Sequence, residues 1–178
     1  NARSLTKDVK KLVENMQQQG IVALVIDLRG NGGGSLDESI SLAGLFIRQG
    51  PVVQVQHAAA APIIRRDEDG GFAFDLPLVV MTDRTSASAS EIFAGAMQDY
   101  NRALLVGDQT THGKGTVQTV LRLHKFDAMR DLKPGALKYT MAKFYRVSGH
   151  STQRKGVAPD IVFPSFFVTE DELLGPLV

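Results

Sequence analysis

The sequence predicts one α/β domain of packed sheets and helices. Three observations carry the prediction. Continuous apolar runs at residues 21–28, 76–82 and 103–106 have the length of buried strands. Segments with apolar residues at helical spacing alternate with them, at 5–16, 35–49 and 88–101. A glycine cluster and a serine-rich stretch punctuate the passages from strand to helix.

In chain order, Leu5, Val9, Leu12, Val13 and Met16 trace one face of a first helix, which Gly20 stops. Residues 21–28 read as a strand buried on both faces. Gly30-Asn31-Gly32-Gly33-Gly34 follows, and Ser35 with Glu38 three residues on matches a capping box. The helix so opened runs to about Gln49. Residues 52–56 read as a short strand. Residues 57–75 mix alanine, charge and Gly70-Gly71, which predicts a surface loop or hairpin. Strand 76–82, helix 88–101 and strand 103–106 come next. Residues 116–123 and 137–147 read as strands, the latter alternating Tyr139, Met141, Lys143 and Tyr145. A last short strand falls at 157–162.

Composition narrows the function. The chain has 178 residues, enough for one domain with its own core, and a net charge of +1. That charge gives no basic surface of the kind nucleic acid or membrane binding needs. The absence of cysteine excludes disulfides, thiolate metal sites and a cysteine nucleophile. No apolar run approaches the ~20 residues of a membrane span. The sequence opens abruptly beside a helix start, which reads as the edge of a longer chain with room for a targeting signal upstream.

Three segments can carry chemistry. Glycines 30–34 let the backbone approach a ligand and turn N–H groups toward it, and the helix that follows adds its own free N–H groups. The arrangement suits an oxyanion or a phosphate, or it is only a tight turn. The dinucleotide fingerprint fails at Ser35. The second segment, Thr85-Ser86-Ala87-Ser88-Ala89-Ser90-Glu91, puts serines at a helix N-terminus, where they either cap the helix or act as a nucleophile stabilised by nearby N–H groups. The third is His112-Gly113-Lys114-Gly115-Thr116-Val117-Gln118. It fails the P-loop pattern at two positions, since Gly107 lies one residue too far away and Gly115 replaces the hydroxyl residue. Lys114 there is either a solvated turn or a base. In a helical turn, Gln118 would face it from four residues on. No G-x-S-x-G elbow and no H-E-x-x-H motif occurs among His57, His112, His124 and His150. His112 is a surface residue or an alternative base.

Taken together, these residues resemble the tail-specific, or C-terminal processing, serine peptidases. Val25-Ile26-Asp27-Leu28-Arg29 with its glycines resembles that family's strand and glycine turn. Ser86 to Ile92 resembles its nucleophile turn, and Gly113 to Gln118 its base motif. Phe144-Tyr145-Arg146 and the stretch from Ser151 to Asp160 resemble its closing segment. The order holds from about Val9 to Pro164. The Ala96-Met97-Gln98-Asp99-Tyr100 stretch and the closing segment resemble the periplasmic branch of Gram-negative bacteria. One departure is a loop before Lys114 that is one residue longer than the commoner turn, which predicts a small bulge.

The resemblance implies a ClpP/crotonase-like layered α/β fold, with residues 1–178 as the catalytic core and a PDZ module outside them. It implies Ser88 as nucleophile, Lys114 as general base and Gln118 as its orienter. Backbone N–H groups of Ala89 and of Gly33 or Gly34 would form the oxyanion hole, with Ser86, Ser90 and Asp99 in structural roles. A free lysine is charged at neutral pH, so the base role calls for a desolvated Lys114 without a carboxylate in contact. No cofactor and no metal are implied. The implied substrates are proteins with nonpolar C-terminal tails, with an adaptor lipoprotein as a candidate partner and no nucleic acid. The rival reading is a non-catalytic domain on the same fold that binds hydrophobic ligands or peptides.

Overall fold

A computed structural model describes residues 4–68, 71–132 and 134–164. Its frame is two four-stranded sheets. One is parallel, in the order β1 (Leu24–Asp27), β4 (Leu78–Thr82), β5 (Leu104–Gly107), β8 (Ile161–Val162). The other is antiparallel, in the order β3 (Ile63–Arg66), β2 (Pro51–His57), β7 (Ala136–Tyr145), β6 (Thr116–Arg122). Helices α2 (Leu36–Gly44) and α3 (Ala89–Asp99) pack on each other and touch β2 of the second sheet. The core lies there. Phe46 meets Phe74 and Phe93 edge-on, over buried Val80, Met97 and Leu105.

Most predicted elements form, with instructive differences. Helix α1 (Leu5–Gln18) is amphipathic, and Ser4 caps it by accepting from the Lys7 N–H. β1 is a strand but is not buried on both faces. Leu24 and Ile26 turn to the core while Val25, on the sheet's outward face, stays 56% exposed, as does Leu104 of β5 at 44%. An apolar run alone does not show whether both faces of its sheet are covered. The second helix stops at Gly44 instead of about Gln49. A β-carbon on Gly44 would strike the Asp67 side chain, so the close approach there requires glycine. Only half of the capping box at its start follows the pattern. Ser35 Oγ accepts from the Glu38 N–H, while the Glu38 carboxylate reaches across to the Thr6 N–H and hydroxyl at 2.9 Å and so ties α1 to α2. The region 57–75 contains β3, paired with β2 as a hairpin; Gly70 lies outside the described residues. Two short 3-10 turns, Leu123–Lys125 and Asp127–Leu132, fill the connection from β6 to β7.

The topology positions the site. β1, β4 and β5 are neighbours and all run the same way, so their carboxyl ends lie side by side. The glycine turn leaves β1, the serine turn leaves β4, and the loop to Lys114 leaves β5. Ligands in open parallel sheets bind at this end of the strands. Here the serine turn is the middle of the three.

Candidate active site

Hydrogen bonds lace the glycine turn to the serine turn. The Asn31 carbonyl accepts from the Ala87 N–H and the Ser90 hydroxyl, both at 3.0 Å. Asn31 Oδ1 accepts from the Gly33 N–H at 2.9 Å. Gly33 has a φ of +97°, and a β-carbon there would come within 2.5 Å of the Ala87 oxygen. Both facts require glycine at that contact. Asp83 holds the serine turn from the other side. Its carboxylate accepts from Gly30, Thr85 and Ser86 N–H groups at 2.9 to 3.0 Å and from the Thr85 hydroxyl at 2.7 Å. The fully buried Ser86 hydroxyl donates to the Leu28 carbonyl at 2.8 Å.

Ser88 is the residue this scaffold strains. Its φ is +59° and ψ −113°, a conformation that costs a non-glycine residue about 1–3 kcal/mol. The turn holds it at the start of α3. Ala89, the first residue of the helix, has an N–H with no intrahelical acceptor by position.

Glu91 joins the nucleophile turn to the lysine loop. It is completely buried. One carboxylate oxygen accepts from the Thr111 hydroxyl and the Gly113 N–H, both at 2.7 Å. The other accepts from the Ser88 N–H at 2.7 Å and the Lys114 N–H at 3.0 Å. The loop is gripped on its far side by the closing segment. Arg154 N–H donates to the Gly113 carbonyl, Gly115 N–H to Gln153 Oε1, and Val157 N–H to Thr111 Oγ1.

The result is a cleft of about 370 Å³ lined by Ser88, Ala89, Gly34, Lys114, Gln118 and Lys138, with Ile92 and Phe144 as apolar wall. Lys114 is half-buried, less enclosed than the sequence reading calls for. Among the described residues no carboxylate lines the cleft; the nearby one, Glu91, meets the Lys114 backbone. A second, apolar pocket of about 80 Å³ adjoins it at Gly34 and Ala89, lined also by Leu28, Leu42, Phe93 and Gly33.

Five of the six predicted site residues therefore line one cleft. Gly33 lines the apolar pocket instead, and its N–H is taken by Asn31. Gln118 arrives by another route than the helical turn considered for it. Thr116–Arg122 is a strand, and its pairing with β7 shifts register between Val117 and Gln118. Thr116, Val117 and Gln118 consequently all line the cleft, which strict alternation does not produce. His112 is exposed, is absent from the cleft lining and uses its backbone N–H to bond the Ser86 carbonyl. Asp99 forms an ion pair with Arg146 at 2.6 Å and accepts from the Ser148 N–H and hydroxyl, anchoring the turn after β7. Among the described residues no cluster of His, Asp or Glu is arranged to hold a metal.

The sequence reading missed Glu91, Asp83 and Asn31. For Glu91 a signal existed. Ser88-Ala89-Ser90-Glu91 is itself a capping-box pattern, which predicts a carboxylate reaching back to the Ser88 N–H. Its bonds to Thr111, Gly113 and Lys114 have no local signature.

Asp83 carries a pH prediction. Burial raises its pKa, but the Thr85, Gly30 and Ser86 donors outweigh that and hold it below the ordinary carboxylate value. A carboxyl depressed in the folded state contributes stability above its unfolded pKa and loses it as pH falls through the folded value. The serine turn should therefore loosen below about pH 4. Protection of the Thr85 and Ser86 amides from exchange, relative to their intrinsic rates at each pH, should fall there, and Asp83→Asn should show the weaker protection already at neutral pH.

Comparison with known proteins places the chain in a family. Residues 2–163 match peptidase family S41. The tail-specific protease of Haemophilus influenzae is 52% identical over 160 residues, 90% of this chain and 23% of that one. The carboxy-terminal-processing protease of Bartonella bacilliformis is 38% identical over 157 residues, 88% of this chain and 33% of that one. The chain thus spans about a quarter to a third of these curated relatives' length. Among solved structures, the photosystem II D1 C-terminal processing protease superposes with a TM-score of 0.76 at 31% identity, over 89% of this chain and 39% of that one. A putative S41 protease from Bacteroides fragilis shares the fold, with a TM-score of 0.72 at 18% identity over 92% of this chain and 43% of that one. With the glycine, serine and lysine turns assembled at one sheet end, and with the family match running through all three, the chain belongs to peptidase family S41.

Proposed function

We propose that this chain is the catalytic core of a serine endopeptidase that works with a Ser–Lys pair. Ser88 Oγ attacks a peptide carbonyl while Lys114 Nζ takes the hydroxyl proton, and Gln118 orients the amine. The developing oxyanion is held by the N–H groups of Ala89 and Gly34. Gly34 is favoured over Gly33 because the Gly33 N–H already serves Asn31. Collapse of the intermediate breaks the C–N bond, the protonated lysine gives its proton to the leaving amine, and water then clears the acyl-enzyme. The small apolar pocket beside these donors takes the substrate side chain next to the scissile carbonyl. A peptide lying along the cleft covers the open side of Lys114.

The observation that supports this reading best is that Ser88 and Lys114, from different turns, line one cleft with Gly34 and Ala89 while Glu91 bonds to the backbone of both. The substrates are proteins recognised through nonpolar C-terminal tails. A PDZ module outside residues 1–178 captures those tails in the periplasm, with an adaptor lipoprotein as partner. These points rest on the family resemblance and on likeness to the tail-specific protease.

Labelling by a fluorophosphonate probe tests the reading. The expected result is one adduct, mapped by mass spectrometry to Ser88. A protein that binds nonpolar peptides but takes no label would instead be the non-catalytic binding domain.

A further inference from the structure

We propose that Lys138 makes the cleft select substrates carrying a carboxylate two to four residues from the scissile bond, an inference that rests on the peptidase reading of the same site. Lys138 lies on β7 opposite Val120, two residues along the strand from Thr140, the partner of Gln118. Two strand residues advance about 6.6 Å. Lys138 is therefore displaced along β7 from the level of Gln118, and it lines the same cleft as Ser88 and Lys114.

The electrostatics of the cleft point one way. Among the described residues its lining contains two lysines and no carboxylate. No described carboxylate forms a salt bridge with Lys138. If Lys114 serves as the base it gives no permanent charge, which leaves Lys138 as the fixed cation facing the substrate. A concave wall focuses its field more than a flat surface would. An extended peptide advances about 3.3 Å per residue, so a carboxylate within reach of Lys138 sits a few residues from the bond being cut. That carboxylate is either an Asp or Glu side chain or the free end of the substrate chain. The shared chemistry is one negative charge.

The experiment compares matched peptides with Glu or Gln scanned through positions two to four on each side of the cleavage point, and the same peptides ending in a carboxylate or an amide. The readout is the ratio of kcat/KM, Glu over Gln or acid over amide, within each protein. In the wild type one position should favour the charged peptide by about three- to tenfold, and salt should reduce the preference. Lys138→Gln should bring that ratio to about one, and Lys138→Glu should invert it, with the uncharged peptide now preferred. A side-chain source appears in the Glu/Gln arm, a terminal source in the acid/amide arm. Equal ratios in wild type and Lys138→Glu would overturn the proposal. The same peptides are titrated onto Ser88→Ala protein by fluorescence anisotropy. Charge-selective binding that disappears with Lys138 supports the proposal even if no cleavage is found, and in that case it is the peptidase reading that fails.

Discussion

Lys114→Ala and Ser88→Ala are each expected to lower kcat/KM for peptide cleavage by about 10⁴-fold or more, with the fold unchanged. The two act as a unit, so the double variant should be scarcely worse than either single one. Without Ser88 no acyl-enzyme forms. Without Lys114 the hydroxyl keeps its proton, and fluorophosphonate labelling should fall in step with cleavage. Lys114→Arg should not restore activity, because a guanidinium stays charged and cannot accept the proton. His112→Ala should retain substantial activity, since His112 is exposed and takes no part in the cleft lining. Circular dichroism and thermal melting check that each variant is folded. Near wild-type turnover by Lys114→Ala, or its loss in a folded His112→Ala, would replace the lysine with the histidine as base.

Glu91→Gln is expected to cut kcat/KM by about 10²-fold or more, although Glu91 touches no substrate, since a misplacement of about 1 Å is enough for such a loss. Both carboxylate oxygens accept two donors each. An amide nitrogen in place of either oxygen would face donors that it cannot accept. The Ser88 and Lys114 N–H groups would lose their shared anchor, or the Gly113 N–H and Thr111 hydroxyl would. Each buried donor left unpaired costs about 1–3 kcal/mol, so a lower melting temperature should accompany the loss of rate. Glu91→Asp keeps the charge but shortens the reach and should not rescue. The effect should fall on kcat and on fluorophosphonate reactivity more than on the affinity of a peptide for the cleft. A Glu91→Gln protein that melts lower but labels at the wild-type rate would leave Glu91 as a core residue without influence on the site.

The fold was largely legible because the strands and helices declare themselves locally. Apolar runs of strand length, helical spacing and Gly20 as a stop each depend on residues a few positions apart, and α1, β4, α3 and β5 form nearly where that spacing predicts them. Burial was read less well. The outward face of β1 is open because no described layer covers that face of the sheet, where Leu104 of β5 is exposed as well, and the Glu38 carboxylate is diverted to Thr6 because α1 packs beside it. The strand expected at 116–123 forms, and Gln118 reaches the cleft through a register shift between strands, which its spacing from Lys114 does not reveal.

For the site, residue types and motif order were readable from the chain alone: a serine at a helix start, a lysine between glycines, and a glycine turn after a strand. Their convergence was not. Ser88 and Lys114 line one cleft because β4 and β5 are parallel neighbours whose carboxyl ends coincide, and because one buried carboxylate bonds to both backbones. The positive φ of Ser88, the engagement of the Gly33 N–H by Asn31 and the arrival of Lys138 from a distant strand are likewise long-range facts. Local sequence encodes conformational preference and chemistry. Which donors stay free, and which charges share a cavity, depends on contacts between segments that only folding brings together.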